Sequence, residues 1–258
     1  MGGTLTCLGT GSILPSPDRS TASYLLGGGL LGEAALLLDA GPGCMRRLAE
    51  LSFDSARIRH VLLSHYHLDH HVDLLTLLFQ RKNPDLQRRA ETLHVYGPPG
   101  LKQLYQRWVQ AYGSWVSIDA IELRELRPGK HELEAGLCVG AFDNDHSASG
   151  FCYRIEMEGR VLAYSGDTAP CGGLDAACVR ADLALVECSF PDHDRQSGHM
   201  WPSAVRELIR SACPRRIGLT HFYPEMASIA DDPLLWAELW SDIEPVPLAL
   251  SDKMELPL

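Results

Sequence analysis

The segment SHYHLDHH, Ser64–His71, contains four histidines and one aspartate within eight residues. His65, His67, Asp69 and His70 follow the pattern H-x-H-x-D-H. Imidazole and carboxylate groups together suit zinc, manganese or iron(II) better than calcium. Because clustered polar groups are costly to bury unless something binds them, this segment predicts a metal site.

A single short loop cannot complete a site for two ions, so ligands from distant segments are needed. Three candidates lie at polar positions: His146 in DNDHSASG, Asp167 in YSGDT and His221 in LTHF. We expect His65 to end a buried strand and the next residues to form a turn before a helix. His71 fits better as a first-turn helix residue than as a ligand.

Strand-like and helix-like segments alternate in both halves of the chain. RHVLLSH and RIGLTH each end on a histidine, and strand-rich sequence lies between them from 121 to 164. This order predicts an α/β protein of αβ/βα type, in which two mixed sheets pack face to face with helices outside. No linker divides the sequence, so we expect one domain over residues 1–258, with the polar strand ends converging on one edge.

Composition narrows the class of protein. The 258 residues carry a net charge of −10, which argues against a large nucleic-acid surface and permits a small phosphorylated substrate. No apolar run predicts a membrane span and no secretion signal is visible, so we expect a cytoplasmic protein without membrane contacts. The eight cysteines form no C-x-x-C pair, which favours free thiols over a disulfide framework.

These motifs together resemble a known family. HYHLDHH, YSGDT and LTHF are similar to the signatures of the metallo-β-lactamase superfamily. CLGTGSILPSPDRSTASYLL, LLLDAGPG, YGPPG, GFCYRIE, YSGDTAPC and LVECSF run in the order typical of ribonuclease Z-type zinc phosphodiesterases. The resemblance covers essentially the whole chain and implies the metallo-β-lactamase fold.

The resemblance also implies a dinuclear site. Two divalent ions per chain are expected, zinc first, with manganese or iron(II) as alternatives. Ions about 3.5–4 Å apart can share a hydroxide that attacks a phosphodiester. The family is often homodimeric, and we expect the same here. By this resemblance, His65, His67 and His146 hold one ion, Asp69, His70 and His221 hold the other, and Asp167 bridges both.

The family pattern assigns roles to further residues. Glu187 in LVECSF and His199 in SGHMWPS match a pair beside the metals. A carboxylate fixes the tautomer of an imidazole and raises its basicity, so His199 can protonate a leaving alkoxide or stabilise the transition-state oxygen. Asp69 is expected to hydrogen-bond the bridging hydroxide as well. Asp39 is expected to orient a metal ligand.

The sequence also departs from the family. Leu68 and Asp73 occupy positions that are usually glycine. No basic, glycine-rich arm lies between His146 and Asp167, as it does in tRNA-processing members, and FYPE after His221 replaces a serine/arginine pattern. We therefore predict a metal-dependent phosphodiesterase acting on a small or cyclic phosphodiester. The alternatives are a ribonuclease Z-like tRNA 3′-end endonuclease, a lactonase or arylsulfatase, and a non-catalytic metal or cofactor binder.

Overall fold

A computed structural model describes residues 2–134 and 136–258. Two seven-stranded sheets pack face to face with helices on their outer surfaces, which confirms the predicted αβ/βα sandwich. The strands are β1 Gly3–Gly9, β2 Ser23–Gly28, β3 Ala35–Leu38, β4 Ile58–Leu62, β5 Leu93–Gly97, β6 Ile121–Glu125, β7 Gly129–Glu134, β8 Leu137–Asp143, β9 Phe151–Met157, β10 Arg160–Tyr164, β11 Leu183–Glu187, β12 Ile217–Thr220, β13 Leu248–Ala249 and β14 Glu255–Pro257.

Both sheets are mixed. The first has the order β14-β1-β2-β3-β4-β5-β6, and its strands β3 to β6 run parallel. The second has the order β13-β12-β11-β10-β9-β8-β7, and its strands β10 to β13 run parallel. Parallel neighbours end at the same edge of a sheet, so the loops that follow them gather there.

Successive side chains of each strand point to opposite faces of the sheet, and together they build three apolar layers. In β3, Leu36 and Leu38 face the space between the sheets, whereas Leu37 packs under the helices. In β11, Leu185 faces inward and Val186 faces the helices of the second sheet. Full burial of one such side chain contributes about 1.5–3 kcal/mol. The layers therefore hold the strand ends, and the loops on them, in fixed positions.

One expectation about the helices needs a correction that concerns the site. The first helix after the histidine motif starts at Leu68, so Asp69 and His70 lie in its first turn and not in a loop before it. The preceding strand ends at Leu62, three residues before His65. The helices are α1 Cys44–Glu50, α2 Leu68–Gln80, α3 Pro84–Arg89, α4 Leu101–Tyr112, α5 Gly172–Cys178, α6 Pro202–Ala212, α7 Pro224–Ala230 and α8 Pro233–Leu239.

Two further predictions concern the chain as a whole. All eight cysteines are free thiols, and five of them are buried, as expected. Among the helices described, none is both long enough and apolar enough to cross a membrane.

Candidate metal centre

The sequence-predicted metal ligands meet at one edge of the sandwich. His65 and His67 lie between β4 and α2, and His146 lies in the loop between β8 and β9. Asp167 follows β10 and His221 follows β12. The convergence follows from topology, because β4 and β10 to β12 belong to parallel portions of the two facing sheets.

The side chains form two groups, each with its ligand atoms within 4.8 Å of one another. We call the first the outer ligand group; its His67 is exposed and its His146 half-buried. We call the second the inner ligand group; every member is buried. The outer ligand group is His65, His67 and His146, and the inner ligand group is Asp69, His70, Asp167 and His221.

Asp167 lies between the two groups. Its Oδ2 is 3.4 Å from Nε2 of His221 in the inner group. The same oxygen is 4.0 Å from Nε2 of His65 and 3.8 Å from Nε2 of His146 in the outer group. Its Oδ1 is 3.3 Å from Nε2 of His70. This carboxylate is therefore placed to contact ions held by either group.

Asp39 orients two of the imidazoles. Its Oδ2 accepts hydrogen bonds from Nδ1 of His70 and from the hydroxyl of Ser64, both at 2.7 Å. Because the Ser64 hydroxyl donates to Asp39, it is left to accept from Nδ1 of His65 at 3.0 Å. Both histidines thus carry their proton on Nδ1 and keep the Nε2 lone pair for a cation. The predicted supporting role of Asp39 agrees with these contacts.

Two other imidazoles are oriented in the same way. Nδ1 of His146 donates to the carbonyl of Gly198 at 2.8 Å, and a carbonyl can only accept. The Ser189 hydroxyl donates to Glu187 and accepts from Nδ1 of His221 at 2.9 Å. Nε2 of His146 lies 2.9 Å from Nδ1 of His67, and Nε2 of His221 lies 3.4 Å from Oδ2 of Asp69. Because the protons of His146 and His221 lie on Nδ1, their Nε2 atoms carry the lone pairs that a cation in either group would bind.

The hydrogen bonding of the buried atoms fits a bound metal. Among the described residues, Nε2 of His65, Nε2 of His70 and Oδ1 of Asp167 are buried without a hydrogen bond of acceptable geometry. Buried polar atoms are normally paired, so three convergent exceptions indicate a missing ligand. The donor set of five imidazoles and two carboxylates suits zinc, manganese or iron(II).

The electrostatics of the cluster also favour cation binding. Burial, reinforced by the neighbouring His70, lowers the pKa of His65 well below its usual value, so the ring stays neutral. Burial alone would raise the pKa of Asp167, but the imidazoles of His221 and His70 outweigh it and hold that pKa well below the usual range. A neutral His65 and an ionised Asp167 are the protonation states in which these two groups bind a metal. Burial alone would lower the pKa of His70, but the carboxylates of Asp167 and Asp39 outweigh it and raise that pKa well above its usual value, so a cation bound there would take the place of a proton.

The predicted Glu187–His199 pair is present beside the ligand groups. Nδ1 of His199 lies 3.1 Å from Oε1 of the fully buried Glu187. Burial by itself would lower the pKa of His199, but the Glu187 carboxylate outweighs it and raises the pKa. Glu187 also accepts from the backbone N–H of Thr168 at 2.7 Å, which ties the pair to the segment carrying Asp167. His199 itself lies within 4.8 Å of ligand atoms of both groups, so it is close enough to serve as a metal ligand as well. Its role as proton donor stays a prediction.

Unusual backbone conformations orient several side chains of the metal centre. Asp39 and His221 adopt positive φ angles of 52° and 58°, which non-glycine residues rarely do and which cluster at functional sites. Gly166, just before Asp167, has φ 56°, and a Cβ there would lie 2.6 Å from Cβ of Ser64. The residue before Asp167 therefore has to be glycine for the two segments to approach.

The two departures from the family glycines have simple structural explanations. Leu68 is 64% exposed at the start of α2 and meets no steric limit. Asp73 uses Oδ2 to accept the backbone N–H groups of Gly43 and Met45, both at 3.0 Å, and so caps the start of α1. Neither replacement removes a ligand from the site.

Sequence reasoning missed the groups that orient the ligands. Ser64, Ser189 and the carbonyl of Gly198 fix three imidazoles, and Tyr164 donates to Asp39. The only local signal was adjacency: Ser64 precedes His65, and Gly198 precedes His199. Ser189 and Tyr164 meet their partners only through the packing of strands.

Comparisons with known proteins show which family this chain resembles. Residues 35–222 match the family described as the beta-lactamase superfamily domain. A ribonuclease Z of Mycobacterium bovis is 28% identical over 243 residues, covering 85% of this chain and 86% of the relative. Among solved structures, the metallo-beta-lactamase fold protein YhfI from Bacillus subtilis has a TM-score of 0.83 at 19% identity, covering 99% of both chains. The short form of human tRNase Z has a TM-score of 0.78 at 21% identity, covering 98% of both chains.

The chain therefore belongs to the metallo-β-lactamase superfamily, a class of metal-dependent hydrolases. The similarity to ribonuclease Z relatives over 85% of the chain supports the ribonuclease Z-like branch that the order of its motifs predicted.

Proposed function

We propose that this hydrolase cleaves a small or cyclic phosphodiester with two divalent ions bound at the candidate metal centre. The observation that carries the proposal is the Glu187–His199 pair beside two ligand groups that meet at Asp167. A lone hydrolytic metal site needs neither a shared carboxylate nor a separate proton donor. Two ions can stabilise the attacking and leaving oxygens of a phosphodiester, and an imidazole held by a carboxylate can protonate the leaving alkoxide.

The two ions would be held by the outer and inner ligand groups, with Asp167 shared. When bound, they would activate water and neutralise charge on the phosphoryl group. Zinc is the first candidate because imidazole dominates the donor set, and manganese or iron(II) would fit the two carboxylates.

The side chains of this protein would handle the protons. Water adds to phosphorus, and one P–O ester bond breaks. Asp69, whose Oδ2 lies 3.4 Å from Nε2 of His221, would accept a proton from the attacking water. Nε2 of His199 would give a proton to the leaving oxygen, while Nδ1 stays bonded to Glu187. One proton is taken and one is given, so the step balances.

Two features support a small substrate. The segment between His146 and Asp167 contains β9 and β10, which pair directly through Met157 and Arg160, with two residues left to turn the chain. This hairpin belongs to the second sheet and is not a projecting arm. The net charge of −10 also opposes a long polyanion.

A ribonuclease Z-like activity is the second candidate. It is favoured by the relatives of that name, which this chain matches over 85% of its length. A precursor tRNA therefore belongs in any substrate test. Salt-sensitive cleavage at the 3′ side would favour this candidate over the first.

A substrate panel tests the proposal. The protein loaded with zinc or manganese would be offered a bis-aryl phosphodiester, 2′,3′- and 3′,5′-cyclic nucleotides, a lactone, an aryl sulfate and a precursor tRNA. We expect turnover of the small phosphodiesters. Turnover of the lactone or the aryl sulfate alone would contradict the proposal.

His199→Ala tests the proton donor. We expect kcat to fall by about 10²–10⁴-fold for a phosphodiester with a poor alkoxide leaving group, and much less for an activated aryl ester, which needs no proton. Kinetics of the two ester types at one pH measure the difference. Equal losses for both ester types would rule out proton donation. Because His199 lies close to the ligands, metal content measured in parallel would show whether an ion has also been lost.

A further inference from the structure

Two aromatic side chains border the proposed proton donor. Phe190 follows the end of β11, and Tyr223 follows the end of β12, the neighbouring parallel strand. Their rings stack with centroids 4.4 Å apart and an angle of 29° between planes. The backbone N–H of Tyr223 donates to the carbonyl of Ser189 at 3.2 Å, which fixes the two segments side by side. We call Phe190 and Tyr223 the aromatic pair.

The aromatic pair contacts the site from the side of His199. The His199 ring is 5.4 Å from the ring of Phe190 and 6.0 Å from that of Tyr223, both nearly edge to face. Tyr223 is also 6.0 Å from the ring of His221 in the inner ligand group. Both aromatic residues are only half-buried, so part of each residue remains accessible to solvent.

The position of the aromatic pair determines which part of a substrate it would meet. The oxygen that takes a proton from His199 belongs to the leaving alcohol. The rest of that alcohol must extend past His199, and the aromatic pair is the surface beside it. Aromatic rings bind flat π systems by stacking, at about 1–3 kcal/mol for a nucleobase.

We propose that Phe190 and Tyr223 determine specificity by binding a flat aromatic ring carried by the leaving alcohol. The substrate would then be a phosphodiester whose alcohol bears a nucleobase or a comparable aryl ring. This inference rests on the proposed phosphodiester hydrolysis.

Matched cyclic phosphates test the inference because they share one leaving group. The three substrates are adenosine 3′,5′-cyclic phosphate, the phenyl riboside 3′,5′-cyclic phosphate and the methyl riboside 3′,5′-cyclic phosphate. With metal-loaded wild-type protein, we expect kcat/KM for the ring-bearing substrates to exceed that of the methyl riboside by about 5- to 100-fold. A preference for adenosine over phenyl would indicate a nucleobase, and equal rates for these two would indicate any aryl ring.

Variants then show which residues cause the preference for ring-bearing substrates. Tyr223→Leu and Phe190→Leu should abolish it, mainly by raising KM, whereas Tyr223→Phe keeps the ring and should retain it. Phe79→Leu is the matched control, because Phe79 also contacts another aromatic ring but lies at the far end of α2 from the site. Thermal unfolding of each variant checks that the fold is intact.

A binding measurement separates this inference from the proposed function. Calorimetry would compare adenosine 5′-monophosphate with ribose 5-phosphate, using wild-type protein and Tyr223→Leu. Tighter binding of the nucleotide that is lost in Tyr223→Leu supports the aromatic surface whether or not catalysis is seen. Equal affinities, or equal kcat/KM values for all three cyclic phosphates, overturn it. Absence of phosphodiester cleavage with nucleotide binding intact contradicts only the proposed function.

Discussion

The inner and outer ligand groups differ in how firmly the protein holds them. The inner group is buried and includes two carboxylates, and its imidazoles are oriented by the buried side chains Asp39 and Ser189. The outer group contains three imidazoles, and His146 is oriented by a backbone carbonyl of the loop that carries Gly198. His67 in the outer group is exposed.

This difference predicts unequal affinities for metal. Anionic ligands attract a cation more strongly than neutral ones, especially where burial reduces screening. Ligands that are already oriented also lose less entropy on binding. We therefore expect the inner group to bind its ion more tightly, and the outer ion to be the first lost during dialysis against a chelator. The next three predictions test this comparison, starting with the largest effect.

Asp167→Ala should weaken both sites, because Asp167 lies within 4.0 Å of imidazoles from both groups. We expect the metal content to fall below the two ions per chain expected for wild type. The loss of affinity should exceed the 10–100-fold typical of residues that only orient ligands. Elemental analysis after equilibrium dialysis measures the content. Asp145→Ala removes an exposed carboxylate nearby and is the control. A variant that still bound two ions with unchanged affinity would disprove a shared carboxylate.

His67→Ala should affect the outer site alone. Its Nδ1 is 2.9 Å from Nε2 of His146, and its side chain is not a member of the inner ligand group. We expect one ion per chain, with the affinity of the remaining ion close to that of the tighter wild-type site. Calorimetric zinc titration would show one binding step where wild type shows two. His193→Ala, which removes an exposed histidine, is the control. Loss of both ions would mean that the two groups are not separable.

Asp39→Asn should have the smallest effect on metal, because Asp39 orients ligands without contacting the ion. Both carboxylate oxygens of Asp39 accept: Oδ2 from His70 and the Ser64 hydroxyl, and Oδ1 from the Ser64 backbone N–H. An amide has one oxygen, so in either orientation its NH2 group faces a donor. We expect the inner affinity to fall about 10–100-fold through His70, and the outer affinity to fall less, because Asp39 reaches His65 only through Ser64. The free energy of unfolding should fall by about 1–3 kcal/mol. Competition with a zinc chelator and urea unfolding measure the two effects. Asp119→Asn, at an exposed site, should change neither. An unchanged inner affinity would show that Asp39 stabilises the fold only.

How much of the site could be predicted depended on the distance in sequence between its parts. The H-x-H-x-D-H spacing indicated a metal site by itself, because residues this close in sequence must be close in space. The helix start was predicted too late, since helix α2 begins within the motif at Leu68. His146 was identified in a polar loop between strands, and Asp167 and His221 at strand ends. Their assignment to two ions came from the family resemblance.

The sequence by itself determined the layered fold, the types of the candidate ligands and the superfamily, since these follow from apolar periodicity and local motifs. Only the tertiary structure decided which nitrogen of each imidazole is free, because that depends on partners such as Asp39 and Ser189. The stack of Phe190 on Tyr223 was also invisible in the sequence. Those residues are 33 positions apart, and they meet because β11 and β12 run parallel, so the loops that follow them leave the sheet at the same edge.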